Sequence, residues 1–92
     1  GRLGIVVESA PAEQLEGSGL SGGVLVREVI SGSVAAEAGI LAGDIITLID
    51  TSPIKSADAF REAVERLQPG TSVPVRLVRR GSPLFIGLKL EN

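Results

Sequence analysis

The chain of 92 residues contains no cysteine, histidine, methionine, tryptophan or tyrosine. Without cysteine there are no disulfides, no thiolate nucleophile and no sulfur ligand for a metal. Without histidine, zinc sites of the usual kind and any serine–histidine charge system are excluded as well. No residue pattern implies a cofactor. The lack of cysteine suits an oxidising compartment. Two phenylalanines, Phe60 and Phe85, are the whole aromatic content. The core therefore has to be built from Val, Ile, Leu and Ala, and there is no Trp or Tyr on which bases would stack. Positive charge is scarce: nine Lys and Arg face eleven Asp and Glu, a net charge of −2. Such a chain has no basic field for a phosphate backbone, which argues against nucleic acid as a partner. The one basic cluster, Arg76 with Arg79 and Arg80, reads as a solvated hairpin end. No apolar run approaches the length of a membrane span, and no leader pattern is present.

What remains is an ordinary folded composition, 43% hydrophobic and 22% charged, with 12 glycines that point to many turns. Residues 1–92 leave no room for two cores and read as a single domain. The chain is so tightly trimmed around its structured part that it is expected to be a domain excised from a larger protein, with Gly1 native or left over from cloning.

The opening "GRLGIVV" reads as a strand over residues 3–8, yet Gly4 sits inside it, where glycine weakens a strand. A bulge, or close approach by another backbone, would explain it. "SAPAEQLEGSGL" holds a short helix over residues 12–16. "GGVLVREVI" is a second strand, residues 23–30, with Val24, Val26 and Glu28 on one face and Leu25, Arg27 and Val29 on the other. In "SGSVAAEAGI", Ser33 is a good N-cap and Gly39 ends the short helix that follows in the left-handed conformation. Residues 45–49 form a third strand, and "TSPI" leads to a short edge strand. "SADAFREAVERLQPG" is the clearest helix. Ser56 caps it, Asp58 lies where the dipole favours negative charge, and Phe60, Val64 and Leu67 form one apolar stripe. Pro69 and Gly70 stop it. "TSVPVRLVRRGSPLFIGLKLEN" alternates as a hairpin turning at residues 80–82. The expected fold class is α+β: a small, mostly antiparallel sheet of five to six strands with one long helix and one or two short ones.

Two apparent motifs carry no chemistry. "GSGLSG", residues 17–22, matches G-x-G-x-x-G, but a strand follows it where the dinucleotide fingerprint needs a helix; it reads as a flexible loop. Asp44 and Asp50 bracket one strand. Asp44 follows Gly43 at a turn, where its carboxylate accepts backbone N–H groups. No serine has a base partner placed by any motif; a serine with Lys55 or Lys89 is the only residue-level route to an independent enzyme, and the isolated domain is not expected to be one.

The stretch from Gly22 to Gly81 resembles a PDZ domain of the bacterial type. "GSVAAEAGILAGDIITLID" is the most telling part, with small residues, then Ala-Gly-apolar, then Gly-Asp and an apolar strand ending in Asp. The helix ending in Pro-Gly and the following "VPVRLVRRG" match as well. The element order is similar to that of PDZ domains in the HtrA/Deg serine proteases, periplasmic quality-control enzymes of bacteria. The resemblance implies a PDZ-like β-sandwich or barrel in the bacterial, permuted strand order, and the ending "LKLEN" suits a C-terminal, second PDZ domain. It also implies that Leu3, Gly4 and Ile5 form the loop that holds a ligand's terminal carboxylate. Val6, Val7, Ala57, Arg61 and Val64 would line a groove to which a peptide adds as an extra strand. The histidine with which some members select Ser or Thr is absent at the helix start, so apolar C-terminal residues are expected. The implied partners are C-terminal or extended segments of misfolded or regulatory proteins and the protease domain of the same chain. The implied location is the periplasm. The alternative is a scaffold or oligomer-contact PDZ domain of an envelope protein, with no free groove.

Overall fold

A computed structural model describes residues 3–16 and 19–91. The elements run β1 (Ile5–Ser9), α1 (Ala12–Leu15), β2 (Val24–Val29), α2 (Val34–Ala38), β3 (Ile45–Ile49), β4 (Ser52–Pro53), α3 (Ala57–Glu65), β5 (Ser72–Arg79) and β6 (Ser82–Lys89). This is the order expected from the sequence. The strands form one six-stranded sheet in the order β1-β2-β3-β5-β6, with β4 paired to β3. Every pairing is antiparallel, and β1 and β6 are the two edges of an open sheet.

Local chemistry explains the helix limits. The Ser33 hydroxyl accepts the Ala36 N–H at 3.1 Å, and Gly39 ends α2 at φ 93°. The Ser56 hydroxyl accepts the Ala59 N–H at 3.1 Å and starts α3. α3 closes at Glu65, ahead of the Pro69-Gly70 stop. The capping serines each stabilise their helix by about 1 kcal/mol.

Two bulges set which side chains face which way. Between β1 and β2, Val7 pairs with Val26 and Val6 with Glu28, so Arg27 is an extra residue in β2. The extra residue shifts the alternation. Val24 and Val26 face the core, and so does Val29 beyond the bulge, while Arg27 and Glu28 are exposed. The expectation that Val29 shares a face with Leu25 and Arg27 therefore fails, because strict alternation does not survive an inserted residue. Thr47 is the extra residue of β3, between the pairs Ile46–Leu77 and Leu48–Arg76.

The main core lies between the inner face of the sheet and the helices. Val24, Val26, Ile46, Val75, Leu77 and Leu88 of the sheet pack in one cluster with Ala35 of α2 and with Phe60, Ala63 and Val64 of α3. The predicted stripe Phe60, Val64 and Leu67 is buried throughout. Each large aliphatic chain so buried stabilises the fold by about 1.5–3 kcal/mol. A smaller cluster, Leu25, Ile45 and Val78, packs with Ala10 and Leu20. These sheet positions alternate with the core-facing ones, so the segment after β1 covers part of the outer face.

Asp44 is the one buried charge among the described residues, 1% exposed. As expected at its turn, its carboxylate accepts the Leu41 N–H, at 2.9 Å. It also accepts two bonds from Arg79, at 2.9 and 2.8 Å, and the same guanidinium donates to the Gly39 carbonyl at 2.8 Å. Arg79 is thus not part of a solvated hairpin end. The hydrogen bonds it donates to Asp44 raise the pKa of the Arg79 guanidinium; burial opposes that rise and the charge attraction adds to it. The clamp ties the α2–β3 turn to the end of β5. Asp50, by contrast, is exposed in a turn with φ 56°.

Candidate functional site

Gly4 lies just before β1 and adopts φ +77°, a conformation that L side chains rarely take. A Cβ built there would sit 2.3 Å from the Cβ of Ser33. The close neighbour is the side chain of the α2 cap, not another backbone, and the bulge between β1 and β2 is at Arg27, not at Gly4. This contact joins segments far apart in the chain, so only the N-cap half of it is visible in the sequence.

The residues around Gly4 are anchored through their carbonyl groups. Leu3 is 3% exposed and belongs to the main core. Its carbonyl accepts the Ala35 N–H at 3.0 Å, and the Gly4 carbonyl accepts the Ile30 N–H at 2.8 Å. All peptides among the described residues are trans, so N–H and C=O of each unit point in opposite directions. The N–H groups of Gly4 and Ile5 are accordingly aimed away from α2 and β2.

The ladder fixes what the open edge presents. The bonds from Ile30 N–H to the Gly4 carbonyl and from Ala10 N–H to the Gly23 carbonyl, 2.8 and 2.9 Å, make Ile5–Val29 and Ser9–Val24 wide pairs. Counting along β1 from each, the N–H and C=O of Ile5 and Val7 point away from β2. The side chains of Ile5 and Val7 are half-buried against the main core, whereas Val6 faces outward and is 51% exposed.

Helix α3 packs beside this edge. Its first turn is tied to the end of β1 by the Ala57 N–H, which donates to the Ser9 hydroxyl at 3.3 Å. Ser9 had no assigned role in the sequence, and no local pattern marks it. Ala57, Arg61 and Val64 follow one side of the helix at spacings of four and three. Ala57 is half-buried against the core, and Val64 is 8% exposed within it. Arg61 is exposed and pairs with Asp58 at 2.6 Å. The serines nearest this region serve backbone N–H groups: Ser9, Ser33 and Ser56 accept from Ala57, Ala36 and Ala59. Of the glycine-rich stretch 17–22, residues 17 and 18 lie outside the described residues, and the remainder is loop.

An edge strand beside a helix, closed at one end by a glycine loop, is the arrangement of a PDZ domain. The chain matches the PDZ domain family over residues 1–90 and belongs to it. It is 40% identical over 90 residues to a probable periplasmic serine endoprotease, DegP-like, of Hahella chejuensis, covering 98% of this chain and 19% of that protein. Among solved structures it is similar to the HtrA-type protease AlgW, determined as a Ser→Ala variant with a decapeptide. That match has a TM-score of 0.85 and 28% identity, over 97% of this chain and 28% of that one. The fold is shared with the HtrA3 PDZ domain bound to a phage-derived ligand (TM-score 0.77, 24% identity, 95% of this chain and 81% of that one). The chain spans about a fifth of the length of the curated relative it matches. Among the described residues, no helix is long and apolar enough to cross a membrane.

Proposed function

We propose that this PDZ domain captures the C-terminal ends of apolar peptides at the open edge of β1, as the regulatory module of a periplasmic serine endoprotease. The observation that carries the reading is the polarity of the edge. Ile5 and Val7 direct N–H and C=O groups outward, and the Gly4 and Ile5 N–H groups point away from their anchoring neighbours at its head. Convergent N–H groups suit a terminal carboxylate, and the edge suits an added antiparallel strand. Leu3, Gly4 and Ile5 hold the carboxylate in this reading. Val6 and Val7 extend the pairing, and Ala57, Arg61 and Val64 form the helical wall. Small Ala57 leaves room for a ligand side chain, while the Arg61–Asp58 pair makes the outer part of the wall polar. The ligands are exposed termini of misfolded or regulatory proteins, and the protease domain of the same chain receives the signal. The location follows the periplasmic relatives.

A few backbone hydrogen bonds contribute about 0.5–1.5 kcal/mol each and a buried apolar side chain about 1.5–3. After the cost of ordering a flexible peptide, affinity falls in the range of roughly micromolar. The test is an NMR titration with pooled peptides ending in a free apolar residue, repeated with their C-terminal amides. Shifts at residues 3–7 and Val64 that disappear with the amides support carboxylate capture. Equal shifts with both forms, or none with either, refute it.

A further inference from the structure

The outer face of the sheet carries a second surface that the β1 edge does not use. Pro53 pairs with Leu48, Leu48 with Arg76, and Arg76 with Phe85, so these four side chains form one row across β4, β3, β5 and β6. Phe85 is 64% exposed at the far edge of that row. At the other end the row borders a depression of about 290 Å³ between Leu20, Leu48, Pro53, Lys55 and Arg76. That volume lies at the lower limit of small-molecule pockets and suits one large anchoring side chain.

The charge of this surface is the opposite of the domain's. The chain is net negative at −2, yet no carboxylate lines the depression. The described ion pairs engage Arg27, Arg61, Arg66 and Arg79. Lys55 and Arg76 take part in none among the described residues. A row whose apolar side chains are interrupted by Arg76 and bordered by Lys55, two cations outside the described ion pairs, is complementary to a segment that offers an apolar side chain beside a carboxylate.

We propose that this face docks an internal acidic–apolar segment of a partner polypeptide. Its aliphatic or aromatic anchor enters between Leu20, Leu48 and Pro53, its carboxylates face Lys55 and Arg76, and a further apolar residue covers Phe85. The contact requires no chain terminus, so it is independent of carboxylate capture at β1.

The experiment titrates the 92-residue chain, followed by amide NMR, with a peptide of alternating Asp and Leu that is acetylated at its N-terminus and amidated at its C-terminus. Saturable shifts are expected at Leu20, Leu48, Lys55, Arg76 and Phe85. They should weaken several-fold when salt is raised from about 0.05 to 0.5 M, because exposed charges are screened. Arg76→Glu and, separately, Lys55→Glu should each lower affinity at least about tenfold while the remaining amide spectrum stays folded. Lys55 is exposed, so its variant keeps the test decisive if Arg76→Glu perturbs the sheet. A same-charge control peptide with Gly in place of Leu should bind at least about tenfold more weakly. Absence of shifts at millimolar peptide overturns the proposal, as do shifts confined to β1 and α3. Shifts of the same residues on diluting the domain alone would assign the face to a second copy and overturn the partner segment.

Discussion

Replacing Gly4 by alanine tests the packing that sets the head of the β1 edge. Two separable penalties apply. Alanine at φ +77° costs about 1–2 kcal/mol from the left-handed backbone alone. Its Cβ would then meet the Ser33 Cβ at 2.3 Å, and relieving such overpacking costs about 1–3 kcal/mol. If Ser33 moves, its bond to the Ala36 N–H goes with it, about 1 kcal/mol more. The sum is about 3–6 kcal/mol, a large part of the ~5–14 kcal/mol expected for a chain of 92 residues. Urea unfolding reads it directly. With a slope of about 2 kcal/mol per molar, the midpoint falls by roughly 2 M. The decisive measurement is the double-mutant cycle with Ser33→Gly. Glycine removes the obstructing Cβ and, as an N-cap, costs only a few tenths of a kcal/mol. In the Gly4→Ala/Ser33→Gly protein only the backbone penalty should remain, giving a coupling of about 2–4 kcal/mol. A coupling below about 0.5 kcal/mol would refute the assignment of Gly4 to close packing against the α2 cap.

Four further outcomes are expected. Val7→Pro removes an N–H that faces the open edge and leaves the ladder to β2 intact. Stability should change by less than about 1 kcal/mol, while peptide affinity measured by calorimetry falls about 2- to 12-fold, the worth of one hydrogen bond. Asp44→Ala strips the Arg79 guanidinium of its partner and the Leu41 N–H of its acceptor, and should cost about 3 kcal/mol in urea unfolding. Arg79 contributes stability that is full below the ordinary arginine pKa and is lost only as pH rises through its raised, folded value. Its own titration should therefore leave thermal stability unchanged between about pH 5 and 9. Arg61→Ala breaks an exposed pair with Asp58 and should shift stability by under about 1 kcal/mol in thermal unfolding.

Much of the architecture was legible because its signals are local. Ser33 and Ser56 are capping residues wherever a helix starts, and the spacing of Phe60, Val64 and Leu67 needs only the helical period to face the core. Alternation in β5 and β6 needs only the strand period. The failures mark where local rules stop. Alternation misplaced Val29 because an inserted residue at Arg27 resets the phase, and nothing in "VLVREVI" announces the insertion. Arg79 read as solvated because its partner Asp44 lies on another element, brought close only when β5 pairs with β3.

The sequence by itself determined the elements, their order, the apolar faces they bury and the likeness to a peptide-binding family. Those properties follow from backbone conformational preference and side-chain periodicity, which act over a few residues at a time. Only the tertiary structure decided that Gly4 packs on the Ser33 side chain, that β1 is an edge with its Ile5 and Val7 groups outward, and that Ser9 ties that edge to α3. It also placed Pro53, Leu48, Arg76 and Phe85 in one row. These are relations between segments distant in the chain. They are fixed by strand pairing and by the packing of a single core, which no short stretch of sequence contains.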